Sequence, residues 1–163
     1  MKMPQGQLDI VHASAGQIEI LRHLWSEYWQ SLGLPSSFQN FAEEQASLPG
    51  EYAPPKGRLL LALFDQTPDQ MLAGAIALRP LTSGTCEAKR LYVRPLYRGR
   101  EIGRSLLTRL IEEARAEGYD CMYADTLRSM QPALNLYKQM GFLEAGPYSS
   151  NPTPGAIYLR KLL

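Results

Sequence analysis

The sequence predicts an α/β (α+β) fold in which a mixed, mostly antiparallel sheet of about seven strands is flanked by about four helices. In the first half, short apolar runs joined by turns predict three antiparallel strands in succession. In the second half, strand-like and helical patterns alternate, which predicts strands and helices packed in layers. The chain has 163 residues, 45% of them apolar and 20% charged, and suits a single domain over residues 1–163.

The first half of the chain predicts four strands and two helices. The strands are expected at residues 8–13, 59–64, 71–78 and 86–93. Ser14 is the expected N-cap of a helix whose apolar residues recur at helical spacing from Ile18 to Trp29, and Gly33 ends that pattern. A second, short helix is expected at residues 38–48, before a Pro-Gly pair.

The second half contains the clearest helix of the chain. Apolar residues from Ile102 to Ala114 lie on one helical face, charged residues lie on the other, and Gly118 ends the segment. A further helix is expected at residues 130–140, and strands are expected at 119–125, 142–145 and 156–162.

Composition narrows the classes of protein to which this chain can belong. No apolar run approaches the roughly 18 residues of a membrane span, and the N-terminus lacks the pattern of a secretion signal, which indicates a cytoplasmic protein. Cys86 and Cys121 lie far apart in sequence and predict buried free thiols. His12 and His23 have no suitable partners, so no metal site is expected. The net charge of +1 gives no overall attraction for nucleic acid.

Positive charge is concentrated where the fourth strand meets the long helix. Residues 89–104 contain six cations and a single acid, Glu101. Unpaired amides at a helix N-terminus attract anions, and Gly99 and Gly103 allow a phosphate to approach closely. Neither the Walker A pattern nor the dinucleotide-binding pattern is present. A phosphate site and a solvated basic loop both remain open from this feature alone.

Two motifs in this chain resemble those of the GNAT superfamily of N-acetyltransferases. Its signature, Arg/Gln-x-x-Gly-x-Gly/Ala after a Val-x-Pro strand end, corresponds here to residues 98–103 after 91–95, and a Leu-Tyr-x-x-x-Gly-Phe ending corresponds to 136–142. The resemblance covers about residues 8–163. It implies a sheet splayed between the fourth and fifth strands. It also implies that an acetyl group passes from acetyl-CoA to a primary amine of a small molecule or peptide, by direct attack in a ternary complex.

The resemblance implies acetyl-CoA as cosubstrate, no metal, and two groups of residues that bind the donor. The strand end binds the pantetheine arm and comprises Leu91, Tyr92 and Val93. The signature turn and the following helical turn hold the pyrophosphate and comprise Arg98, Gly99, Arg100, Glu101, Ile102, Gly103, Arg104 and Ser105. Glu101 replaces the first signature glycine, and we expect the turn to survive with this side chain directed toward Arg98 or Arg104. Met130 replaces a common Asn, so one contact to the donor is either missing or supplied by Ser129 or Asn135.

The resemblance also implies two catalytic side chains. Glu87, on the strand before the signature, suits the general base, because an ammonium with a pKa of about 10.4 must lose a proton before it can attack. Tyr137 suits the acid that protonates the departing thiolate. The alternatives are a surface glutamate paired with Lys89 or Arg90 and a tyrosine that only packs in the core.

The acceptor pocket is predicted less sharply. Its candidates are Trp25, Tyr28, Trp29, Phe38, Tyr52, Tyr148 and Asn151, with Glu27, Glu43 or Glu44 as acids that bind the amine. Glu101 and Met130 motivate an alternative, a non-catalytic acyl-CoA-binding regulatory protein. The cation cluster motivates a nucleic-acid-binding module, but the near-zero net charge argues against it. No nucleic-acid or membrane partner is therefore expected, and a homodimer is left open.

Overall fold

The computed structural model describes residues 6–65, 70–148 and 155–163. Its strands are β1 (Leu8–His12), β2 (Arg58–Asp65), β3 (Gln70–Thr82), β4 (Thr85–Val93), β5 (Cys121–Leu127), β6 (Leu143–Ala145) and β7 (Ala156–Leu162). Its α-helices are α1 (Ile18–Leu32), α2 (Phe41–Ala46), α3 (Ile102–Glu117) and α4 (Gln131–Gln139). The strands form one sheet in the order β1-β2-β3-β4-β5-β7-β6. The predicted mixed sheet with flanking helices is confirmed.

The bounds of some elements differ from the prediction for local reasons. The helix expected at 38–48 is a short 3₁₀ turn followed by α2, because Gln39 and Asn40 have positive φ values of 55° and 56°. Such values interrupt a right-handed helix. Strand β3 runs beyond the predicted end at Leu78 and pairs with β4 as far as Thr82. Cys86 and Cys121 are buried free thiols, as predicted.

The sheet opens between its fourth and fifth strands. Strands β1 to β4 pair antiparallel in succession, whereas β4 and β5 run parallel. Their pairing covers residues 85–88 of β4 and 121–124 of β5. Beyond Ala88 and Ala124 the two strands diverge, so the ends of both strands border a gap in the sheet. The splay implied by the sequence motifs is confirmed.

A β-bulge at Arg90 accompanies this divergence. Between the pairs Ala75–Tyr92 and Ala77–Lys89, β4 has two residues where β3 has one. Arg90 itself has a φ of 60°. An extra residue bends the bulged strand and increases its twist. The bulge therefore turns the end of β4 away from β5.

Each face of the sheet has its own hydrophobic core. Residues of α3 and α4 pack on one face together with Cys86 and Ala88. Residues of α1 and α2 pack on the other face. Because side chains alternate along a strand, Glu87 and Lys89 lie on the face that α1 and α2 cover.

A buried ion pair joins α2 to the bulge. The Arg90 side chain is 4% exposed, and its Nε donates to Oε2 of Glu44 at 2.9 Å. The other oxygen of Glu44 accepts a hydrogen bond from the Tyr52 hydroxyl. The Arg90 guanidinium also lies 4.8 Å from the centre of the Trp29 ring and 5.4 Å from that of Phe41. This network fixes the bulge against the helices above it.

We expect Arg90→Met to lower the free energy of unfolding by about 3 kcal/mol, because it leaves the carboxylate of Glu44 buried without its cation. Urea denaturation of the parent and the variant measures this change. Arg109→Met is the matched control, since Arg109 is 41% exposed in its pair with Glu113, and it should cost less than about 0.5 kcal/mol. Equal losses in the two variants would contradict the assigned role of the buried pair.

Candidate active site

The basic junction folds into a tight turn that ends at the first residue of α3. A 3₁₀ turn at Pro95–Tyr97 follows β4, and the chain then passes through Gly99 with a φ of 81° and Glu101 with a φ of 60°. This path places the first turn of α3, whose amides have no helical partners, beside the end of β4. Free amides and the helix dipole together favour an anion at this point.

A cleft runs from this turn along the end of β4. Nine of the predicted donor-binding residues line it, namely Leu91, Tyr92, Val93, Arg98, Gly99, Glu101, Ile102, Gly103 and Arg104. Gly103 matters for packing, since a Cβ there would lie 3.3 Å from the side chain of Leu136 on α4. The other two predicted donor-binding residues, Arg100 and Ser105, do not line the cleft. Ser105 Oγ donates to the carbonyl of Glu101 at 3.0 Å, and the Arg100 guanidinium lies 5.5 Å from the Phe64 ring centre.

Glu101 occupies its turn in the left-handed conformation. Its side chain is 75% exposed, and its Oε2 accepts a hydrogen bond from Arg104 Nε at 2.9 Å. The expectation that the turn survives, with this side chain directed toward Arg98 or Arg104, is confirmed. A non-glycine residue at positive φ carries a strain of roughly 1 kcal/mol. The chain therefore accepts a strained residue at the edge of this cleft.

A second, deeper pocket lies at the gap between β4 and β5. Tyr137 of α4 lines it and is buried, with its ring edge-on to Phe142 at 5.1 Å. Burial raises the pKa of Tyr137 well above its ordinary value, and nearby Tyr28, Asp125 and Glu87 raise it further. The Tyr137 phenol therefore stays protonated at neutral pH and above.

Thr126 lines the same pocket and presents a buried hydroxyl. The residue is 7% exposed, and among the described residues its Oγ1 has no hydrogen-bond partner. Buried polar groups in folded proteins are rarely left unpaired. The position of this hydroxyl at the pocket wall suits a contact with a bound molecule.

Glu87 is buried near Lys89 of the pocket wall, but it does not itself line the pocket. Its Oε1 accepts a hydrogen bond from Arg79 Nε at 2.7 Å, and its Oε2 accepts one from the Tyr148 hydroxyl. The Tyr148 ring packs against Tyr123 and Tyr158. Burial raises the pKa of Tyr148, and so do the neighbouring carboxylates. Both carboxylate oxygens of Glu87 are therefore already engaged by hydrogen-bond donors.

Sequence reasoning did not single out two further charged residues of the pocket, Lys89 and Asp125. Both line its wall, and Lys89 Nζ lies 3.9 Å from Asp125 Oδ1. Lys89 appeared in the sequence only as one of six cations and as a partner for Glu87. For Asp125 the sequence offered one indication, namely an acid at the end of the strand that borders the gap. Only the tertiary structure brings Lys89 and Asp125 close together, because they lie on different strands.

The predicted acceptor residues separate into two groups. Tyr28, Trp29 and Phe38 line the deep pocket, and burial raises the pKa of Tyr28 to about 12. Trp25, Tyr52 and Tyr148 do not line it, and Trp25 and Tyr52 belong to the same core as Trp29. Asn151 lies outside the described residues.

Two of the three acids predicted to bind the amine of the acceptor form ion pairs with arginine side chains instead. Glu27 pairs with Arg94 at 3.1 Å, and Glu44 pairs with Arg90 at 2.9 Å. Glu43 is exposed on α2.

Within residues 6–65, 70–148 and 155–163, no group of three or more His, Cys, Asp or Glu side chains is arranged to hold a metal ion. No helix in this part of the chain has the length and apolar character needed to cross a membrane.

Comparisons with known proteins identify the family and the fold. The model of the acetyltransferase (GNAT) family matches residues 18–142. An uncharacterized N-acetyltransferase of Schizosaccharomyces pombe is 38% identical over 144 residues, which cover 88% of this chain and 86% of that protein. A GNAT-family acetyltransferase of Staphylococcus aureus has the same fold, with a TM-score of 0.81 at 19% identity and coverage of 96% and 99%. PaiA N-acetyltransferase of Thermoplasma acidophilum, solved with coenzyme A, gives a TM-score of 0.73 at 20% identity and coverage of 96% and 99%.

The strain at Glu101 can be measured by comparing two truncations of the same side chain. We expect Glu101→Gly to be more stable to urea than Glu101→Ala by about 1 kcal/mol, because only glycine adopts positive φ without strain. Both variants lose the ion pair to Arg104, so the difference isolates the backbone. An alanine variant as stable as the glycine variant would show that the turn is not strained.

Proposed function

The chain belongs to the acetyltransferase (GNAT) family, and from this we propose that it transfers an acetyl group from acetyl-CoA to a primary amine of a small molecule or peptide. One observation carries the proposal. The anion-binding cleft and the deep pocket share the wall residues Leu32, Leu91, Met130 and Ala133. A single elongated ligand can therefore occupy both, with its phosphates at α3 and its reactive end at the gap.

The residues of the cleft suit the donor. The amides that begin α3, together with Arg98 and Arg104, face the diphosphate position. Residues 91–93 of β4 lie beyond its pairing with β5, so their backbone groups on that side can bind a pantetheine arm as an added strand. Thr126 Oγ1 offers a further hydrogen bond in the deep pocket. Acetyl-CoA supplies the activated acetyl thioester.

Glu87 acts as the general base in this proposal. A primary ammonium has a pKa of about 10.4 and is almost wholly protonated at neutral pH. Glu87 takes the proton through a water or through the Tyr148 hydroxyl, which already donates to Oε2. Arg79 holds the carboxylate in position through Oε1.

Tyr137 acts as the general acid. As the amine nitrogen bonds to the acetyl carbon, the carbon–sulfur bond breaks and the sulfur takes the phenol proton of Tyr137. Burial favours the neutral phenol, so the proton is present when the thiolate leaves. Protons then return to Tyr137 from solvent and leave Glu87 to solvent, which restores the enzyme.

Acetyl-CoA at saturating concentration should raise the melting temperature, and CoA release should depend on an added amine. We expect Glu87→Gln and Tyr137→Phe each to lower kcat about 100-fold, because each removes a proton-transfer group. The acetyl-CoA-induced melting shift should stay unchanged in both variants. CoA-release kinetics over a panel of amines, amino acids, polyamines and peptides measure the loss.

Glu19→Gln and Tyr119→Phe provide matched controls outside the pocket and should keep parental rates. A melting shift without turnover on any acceptor would favour a non-catalytic acyl-CoA-binding protein instead. Absence of the shift would remove the proposed donor.

The raised pKa of Tyr137 predicts how its contribution varies with pH. A phenol with a raised pKa stays protonated past the value of about 10 at which free tyrosine ionises. The kcat ratio of parent to Tyr137→Phe should therefore be the same at about pH 7 and about pH 9.5. A ratio that approaches one at the higher pH would argue against Tyr137 as the acid.

A further inference from the structure

Lys89 is a buried cation that keeps donor capacity in the deep pocket. Its side chain is 7% exposed, yet its Nζ lies 3.9 Å from the nearest oxygens of both Glu87 and Asp125, beyond hydrogen-bond distance. Among the described residues its three N–H groups have no hydrogen-bond acceptor within that distance. A buried ammonium is stabilised by hydrogen bonds to oxygen, so Lys89 is suited to bind an oxygen of a ligand.

Asp125 gives the same wall an anion. It projects from β5 on the face that α1 covers, its side chain is 20% exposed, and Lys89 is its nearest charged partner among the described residues. Arg90, by contrast, is committed to Glu44 and Gln39. The pocket thus presents one ammonium and one carboxylate whose charged atoms lie 3.9 Å apart and which both remain able to bind a ligand.

Opposite charges at this spacing match a zwitterion. In an α-amino acid the ammonium nitrogen and the nearer carboxylate oxygen are separated by roughly 3 Å, as bond lengths and angles require. Such a molecule can place its carboxylate on Lys89 and its ammonium on Asp125 at the same time. A simple amine would leave Lys89 without an acceptor, and a polyamine would bring further positive charge against it.

The remaining wall of the pocket selects the side chain of the acceptor. Tyr28, Trp29, Leu34 and Phe38 line it and present apolar or aromatic surface. Burial of apolar area on this wall favours an uncharged, hydrophobic group. Resting on the acetyltransferase function proposed above, we propose that the acceptor is an α-amino acid with an apolar side chain, bound through Lys89 and Asp125. The transfer step is unchanged: its α-amine loses a proton toward Glu87 and takes the acetyl group.

Acceptors that differ only in the carboxylate test this assignment. We expect kcat/KM for L-phenylalanine and L-leucine to exceed that for their amides, and for 2-phenylethylamine and 3-methylbutylamine, by about 100-fold, because a site built for a group rejects analogues that lack it. Lys89→Met should reduce this preference to within a few-fold by weakening the amino acids alone. Lys138→Met, in the exposed pair with Glu144, is the matched control and should keep the full preference.

A second variant distinguishes loss of the Lys89 charge from misfolding of Lys89→Met. Lys89→Arg keeps the charge and should retain most of the preference, and the acetyl-CoA melting shift should be the same in all three variants. Amines acetylated as well as amino acids, or equal losses on both in Lys89→Met, would overturn the inference while the acetyltransferase function stands. Acetyl-CoA binding without turnover of any amino acid would also overturn it. The proposed function itself would be removed by the absence of acetyl-CoA binding, or by binding without turnover of any amine at all.

Discussion

The site depends on the β-bulge at Arg90. One extra residue in β4 turns that strand away from β5 after Ala88, and the proposed reaction takes place at the gap that results. The positive φ of Arg90 is held by a buried ion pair to Glu44 and by aromatic rings. Burying the charged side chain of Arg90 costs free energy. That cost accompanies the bulge that opens the sheet.

At the gap, the two faces of the sheet carry different sets of side chains. The face covered by α3 and α4 carries the anion site, Thr126 and the neutral phenol of Tyr137, which suit a long donor with phosphates at one end. The face covered by α1 and α2 carries Glu87, Lys89 and Asp125, which suit a charged acceptor. Since side chains alternate along β4 and β5, neighbouring residues in sequence serve opposite faces. The proposed chemistry takes place where these alternating sets meet at the gap.

Much of the fold could be predicted because its signals are local. The apolar face of α3, the strand end at Val93 and the signature turn are contiguous in sequence, and even the left-handed Glu101 could be anticipated from its place in the motif. The acceptor side could not be predicted in the same way. Trp25 and Trp29 lie on one helical face and share one core, and only tertiary packing brings Trp29, but not Trp25, to the pocket wall. The approach of Lys89 to Asp125 likewise joins strands that are distant in sequence.

The division of the interior into two separate cores has a consequence for how this architecture can diversify. Among the described residues, the core side chains of α1 and α2 cluster separately from those of α3 and α4. The layer over the acceptor can therefore be rebuilt while donor binding is retained, provided that Ser31 and Leu32 of α1, which also line the donor cleft, are kept. The buried ion pair of Arg90 and Glu44 links that layer to the sheet. A chimera that imports α1 and α2 from a relative must therefore bring its own partner for Arg90.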